Sequence, residues 1–188
     1  LLLQKMTTAE PHLASLLIDD VLKNPKAMVL LNGAMKDMVD TVSTQKIARG
    51  NMKYVGVIPE NVITKLDNLD KAPQSAVIAV RDDDVLHALR DSKQAKGISL
   101  PVEFWEQLPE KLRNPSAILL ETDQKLPTLV FVYDTEQGKV AIKMDYEVKL
   151  KDELSKKKFT HKVNLVRTAS IFTDKSGMHK YEVLWGEL

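Results

Sequence analysis

The sequence predicts an α+β protein, with N-terminal helices packed on a four- to five-stranded antiparallel β-sheet. Three observations lead there. Val140, Ile142, Met144, Tyr146 and Val148 alternate with Lys139, Ala141, Lys143, Asp145 and Glu147, a period of two that turns one side of a strand inward and leaves the other open. Further apolar runs of strand length at 117–120, 129–133, 163–172 and 181–185 follow one another through short turns, which favours a meander. Residues 1–50 carry apolar side chains at helical spacing instead.

A chain of 188 residues suffices for one sizeable domain, or for one domain with a helical annex. The spacing places an annex over 1–50 and the α+β domain over 53–188, with Arg49-Gly50-Asn51 as the boundary. The net charge of +1 points to no partner, and the lack of cysteine excludes disulfides and thiolate metal sites. No apolar run approaches the ~18 residues of a membrane span, so no membrane partner is expected. Leu1-Leu2-Leu3 is too short for a secretory signal, and the opening without Met is that expected of a trimmed or partial chain.

In the annex, Leu13, Leu16, Leu17, Val21 and Leu22 form the stripe of a first helix, stopped at Asn24-Pro25. Met28, Leu31, Met35, Met38, Val39 and Val42 form that of a second, where methionine suits adaptable packing. A strand at 54–58 precedes a helix opened by Pro59-Glu60. An apolar run at 76–80 precedes a helix whose first turn is Asp82-Asp83-Asp84, acids that suit a helix start better than a metal cluster. Pro101 and Leu108-Pro109 open two short helices, and Phe104 and Trp105 are expected to bury against the sheet. Asp134 to Gly138 and Asp174 to Gly177 read as turns, with glycine fit for positive φ. Residues 150–162, with Lys151, Lys156, Lys157, Lys158 and Lys162, read as a mobile basic connection. From 139 to 180 eleven Lys and Arg face five Asp and Glu, a local +6 within a chain of +1, which is the pattern of a polyanion-binding segment and equally of a soluble loop.

His87 and Arg90, three residues apart, share a helix face and could serve a phosphodiester, the imidazole for proton transfer and the guanidinium for charge. The plain alternative is a solvated histidine beside a surface arginine. Along 163–172, Val163, Leu165, Ala169 and Ile171 fall on one side of a strand and Asn164, Thr168 and Ser170 on the other. Arg167 would then point into the apolar side, so either a bulge or a functional pocket is implied. Thr168 and Ser170 near Lys143 suit a phosphate cradle, and equally a solvated strand.

The order of Asp-Val-Leu-His-Ala-Leu-Arg, then Leu-Pro-Glu-Lys-Leu-Arg-Asn-Pro, then a sheet ending in Val-Arg-Thr-Ala-Ser-Ile-Phe resembles the phage-associated branch of the barnase, EndoU, colicin and RelE-like nuclease superfamily. Such domains end Mu-type head morphogenesis proteins and occur in polymorphic toxins. The resemblance covers roughly 57–188. It implies a metal-independent ribonuclease that cleaves RNA by 2′-hydroxyl attack, with His87, Thr168 and Ser170 catalytic, with Arg90, Lys143 and Arg167 binding substrate, and with neither metal nor cofactor. It implies tRNA or another structured RNA as substrate, an immunity protein or phage capsid component as partner, and a bacterial cytoplasmic or virion-associated location. A second histidine expected near the first is absent, Lys93 standing there, which leaves His161 and His179 for that part. The other reading is a non-catalytic head-morphogenesis, structural or RNA-binding module on the same fold.

Overall fold

The computed structural model describes residues 2–90, 96–122, 125–151, 154–172 and 176–188. The fold is α+β. Its helices among the described residues are α1 (Leu2–Lys5), α2 (Pro11–Leu22), α3 (Pro25–Gln45), α4 (Glu60–Asn68), α5 (Asp82–Leu89), α6 (Val102–Glu106) and α7 (Leu108–Arg113). Its strands are β1 (Met52–Val57), β2 (Val77–Arg81), β3 (Ala117–Glu121), β4 (Thr128–Tyr133), β5 (Gly138–Lys151), β6 (Lys158–Ile171) and β7 (Glu182–Gly186).

The sheet is larger than the four or five antiparallel strands expected. Seven strands run in the order β1-β2-β6-β5-β4-β3-β7. β1 and β2, legible as strands at 54–58 and 76–80, join its edge, and β2 pairs with β6 in parallel, Ile78 opposite Asn164 and Val80 opposite Val166. Every other neighbouring pair is antiparallel. Short turns pair β3, β4, β5 and β6 in sequence, whereas the β2–β6 pair joins segments more than eighty residues apart, for which no local signal exists.

One face of the sheet is covered by the helices. Ile118, Leu129, Phe131, Val140, Ile142 and Val166 pack there with α3 through Met35, Met38, Val39 and Val42, and with Phe104, Trp105 and Leu112. The same cluster contains Ala14, Ile18 and Leu22 of α2, so the boundary near residue 50 does not divide the core. Prolines at the first position and the side chains of Glu10 and Asn24, which accept backbone N–H groups, set the starts of α2 and α3. The stripe of α3 is buried as its periodicity predicts. That of α2 is not: Leu16 is 57% and Leu17 49% exposed, and the buried side is Ala14, Ser15, Ile18 and Leu22. The Ser15 hydroxyl donates 2.7 Å to the Ile58 carbonyl, which lets a polar residue face the core.

Residues 150–162 are not a connection but the far part of a hairpin. β5 and β6 each span fourteen residues and remain paired to Lys151 and Lys158. Asp152 and Glu153 lie outside the described residues, as do the 173–175 part of the last turn and the 92–95 part of the polar loop with Lys93. At the β4–β5 turn the positive φ (49°) belongs to Gln137. Gly138 serves space instead, since a Cβ there would come within 2.7 Å of Leu100.

Candidate functional site

Two bulges in the β5–β6 hairpin decide where the candidate residues point. Ala141 pairs with Thr168 and Ile142 with Val166, so Arg167 is an extra residue on β6. Further along, Lys143 pairs with Leu165 and Tyr146 with Val163, so β5 carries an extra residue too; Asp145 there adopts positive φ (54°). Paired residues share a face. Ala169 and Val166 point to the helices, and Thr168, Ser170, Ala141, Lys139 and Lys143 point to the opposite face, which is open along β6 and covered over β3 and β4 by Phe172, Met178 and Tyr181. The bulge reverses the alternation: Val163 and Leu165 lie on the open face in a small cluster with Ala79 and Val148, whereas Ala169 lies on the helix side. The alternation predicts Val163, Leu165, Ala169 and Ile171 on one side, and Tyr146 and Val148 on the same side as Val140, Ile142 and Met144; the β6 bulge divides the first set and the β5 bulge the second. The alternation also predicts Asn164 with Thr168 on the solvated side, and Asn164 is fully buried.

The same bulge re-aims Arg167, which the sequence left between a bulge and a pocket. Its Nη1 donates 3.3 Å to the Tyr146 hydroxyl and lies 3.7 Å from Oδ1 of Asp84. Arg81, at the end of β2, places Nε 3.4 Å from Oδ2 of Asp84 and 3.5 Å from Asp83. The guanidinium carbons of Arg81 and Arg167 lie 5.4 and 5.1 Å from the centre of the Tyr146 ring, within cation–π range. The Asp84 side chain is 11% exposed, and burial raises its carboxyl above the ordinary aspartate value against the lowering pull of Arg167.

Asp84 belongs to α5, which packs against α3, β2 and β6. β2 ends at Arg81, and α5 takes up the space beside the later part of β6. Asp84 reaches Arg167 at one end; at the other, Ser99 donates to the Ala88 carbonyl and Ile171 donates 2.9 Å to the Ile98 carbonyl. His87 is exposed, one turn beyond Asp84 on the same helix face. Its Nδ1 is in contact with the Arg90 guanidinium.

The structure therefore brings Thr168, Ser170, Lys143 and Arg167 to one face, and keeps His87 on the helix beside it, joined to that face through Asp84 and Arg167; Arg90 does not share the helix face as its spacing predicts, because α5 ends at Leu89 and Arg90 is extended. His161 does not meet them. It sits seven residues before Thr168 along β6, about 20 Å away, 3.5 Å from the Tyr54 hydroxyl, with its pKa lowered by burial. The His179 side chain lies outside the described residues. Lys156, Lys157 and Lys158 are exposed at the far end of the hairpin, about 30 Å from Thr168 along the strand. Arg81, Asp84 and Tyr146 escaped the sequence reading. Asp84 carried the signal of a helix start, which it also is, and the other two come together only through the parallel β2–β6 pairing.

Among the described residues no group of three or more His, Asp or Glu gathers as metal ligands do, and no helix is long and apolar enough to cross a membrane. No protein family, curated protein or solved structure was found to match the chain.

Proposed function

We propose that the chain is a metal-independent ribonuclease of the phage-associated toxin-like kind. His87 takes the proton of a ribose 2′-hydroxyl on Nδ1, which Arg90 vacates as its guanidinium turns to the phosphate. The 2′-oxygen bonds to the adjacent phosphorus, the bond to the 5′-oxygen breaks, and an imidazolium returns a proton to that oxygen. Lys143, Arg167 and Arg90 offset the charge that builds on the phosphate, and the hydroxyls of Thr168 and Ser170 donate to its oxygens. The observation that carries this reading is the register of β5 on β6, in which Thr168, Ser170, Lys139 and Lys143 share the open face and the bulge adds Arg167. A structured RNA as substrate, and an immunity protein as partner, belong to the same proposal.

The test is cleavage of total RNA by the purified chain in the presence of a chelator. His87→Ala should lose about 10²–10⁴-fold in rate, the usual worth of general acid–base catalysis. Intact RNA under these conditions, or a His87→Ala variant as active as the parent, refutes the reading.

A second reading, a non-catalytic assembly module, is favoured by α2, where Leu13, Leu16, Leu17 and Val21 are all exposed and Leu16 lines a pocket with Trp185. An apolar row of this kind marks a protein contact more often than a catalytic surface. It predicts a chain that is harmless when expressed in bacteria and that self-associates in sedimentation experiments.

A further inference from the structure

Arg81, Tyr146 and Asp84 take no part in the proton transfers assigned to His87, yet they build an ordered polar cluster around Arg167. Two like-charged guanidiniums share one phenol ring, and Asp84 offers each of them one carboxylate oxygen. Those ion pairs, at 3.4 and 3.7 Å, engage one nitrogen of each five-donor guanidinium, and the side chains of Arg81 and Arg167 are 27% and 31% exposed. Planar forks held on a ring, partly desolvated and with donors to spare, suit an oxyanion with several acceptor oxygens. β2 and β5 flank β6 about 10 Å apart, so Arg81 and Lys143 approach Thr168 from opposite sides, a spacing that suits successive phosphates of one strand better than a single one.

Resting on the ribonuclease reading, we propose that Arg81, held on the Tyr146 ring beside Arg167, forms a subsite for the backbone phosphate next to the cleaved one that Arg167 contacts, in a single RNA strand, and that Asp84 is the positioning residue of both cations. Asp84 is covered, touches both cations, and joins them to the helix that carries His87. Of the two cations Asp83 touches only Arg81; it also accepts the Asp84 N–H and is half exposed.

The sign of one substitution separates this from a bystander role. Asp84→Asn removes a negative charge, so on charge count alone it tightens binding of a polyanion. As the residue that holds the stack, it weakens binding instead. Affinity is measured by fluorescence anisotropy of a short labelled 2′-O-methyl RNA, which lacks the attacking hydroxyl, across a series of salt concentrations. Asp84→Asn should bind about tenfold more weakly, while Asp83→Asn binds as tightly as the parent or more tightly. Arg81→Gln and Arg167→Gln should each reduce the slope of log affinity against log salt by about 0.7, one phosphate contact on a single strand. Tyr146→Leu leaves the charge unchanged and should also weaken binding, and it serves in place of Asp84→Asn if that variant does not fold. A parent chain that binds RNA, with an Asp84→Asn variant that binds it equally or better, or with an Arg81→Gln variant of unchanged slope, overturns the subsite alone. A parent chain that neither binds nor cleaves RNA overturns the ribonuclease reading and the subsite with it.

Discussion

Asn164 is the side chain on which the position of the site depends most directly. It is fully buried at the start of the parallel pair, where Ile78 faces it. Its Nδ2 donates 2.6 Å to the Ser75 carbonyl and 3.0 Å to the Val77 carbonyl, and its Oδ1 accepts from the Asp145 N–H at 3.4 Å. One amide thus ties β2 to β6 and to the β5 bulge. Asn164→Ala deletes two good hydrogen bonds and one weak one and leaves buried partners unmet. At about 1–3 kcal/mol for each unmet group, softened by some rearrangement, the loss should be about 2–4 kcal/mol, a large share of the roughly 5–15 kcal/mol that holds a domain together. Urea unfolding followed by far-ultraviolet circular dichroism measures it, with the slope against urea confirming that the unfolded reference is unchanged. Asn164→Asp sharpens the test. A carboxylate aimed at two carbonyls is disfavoured, and its protonated form can donate to one of them, so the folded-state pKa lies above the unfolded value of about 3.9. The folded variant then binds protons more tightly than the unfolded chain, and its deficit shrinks as the pH falls through the folded-state pKa. A loss below about 1 kcal/mol for Asn164→Ala, or a deficit in Asn164→Asp that ignores pH, refutes the argument.

Two further predictions concern the helical layer. On α2, Ile18→Ala should cost about 2–5 kcal/mol in the same unfolding assay because Ile18 is fully enclosed, whereas Leu17→Ala should stay within about 0.5 kcal/mol; equal losses would mean that the exposed row of α2 is core after all. His12 lies 3.0 Å from Glu60, and that hydrogen bond, reinforced by the negative charges of Glu10, Glu60 and Asp67, raises its pKa. A raised histidine contributes stability that is fully present below its unfolded value near 6.5 and lost as the pH rises through its folded value. The difference in melting temperature between the parent and His12→Gln should therefore be largest below about pH 6.5 and shrink as the pH rises above it, and a difference that is constant with pH would show that the pair does not titrate with folding.

What could be read from the residues was whatever short-range periodicity encodes. The alternation from Val140 to Met144 and the stripe of α3 report environments repeated every two or 3.6 residues, and the stop at Asn24-Pro25 and the acidic start of α5 are local as well, so they survive without knowledge of the rest of the chain, whereas the β5 bulge sends Tyr146 and Val148 to the other face. The open face with Lys143, Thr168 and Ser170 was legible for the same reason. The α2 stripe misled because periodicity marks which residues share a side but not which side meets the core. Leu16 and Leu17 compete for burial with Ile18 and Ala14, and the choice fell to the side where Ser15 reaches the Ile58 carbonyl.

Sequence alone thus determined an α+β chain, its helix starts, most of its strands and the polar row of one hairpin, because each of these is a local response of the backbone to its own side chains. Tertiary structure alone decided the parallel β2–β6 pairing, the bulge that turns Arg167 outward, and the meeting of Arg81, Asp84 and Tyr146 around it. Those features depend on which distant edges and buried polar groups satisfy one another, and no single stretch of chain holds that information.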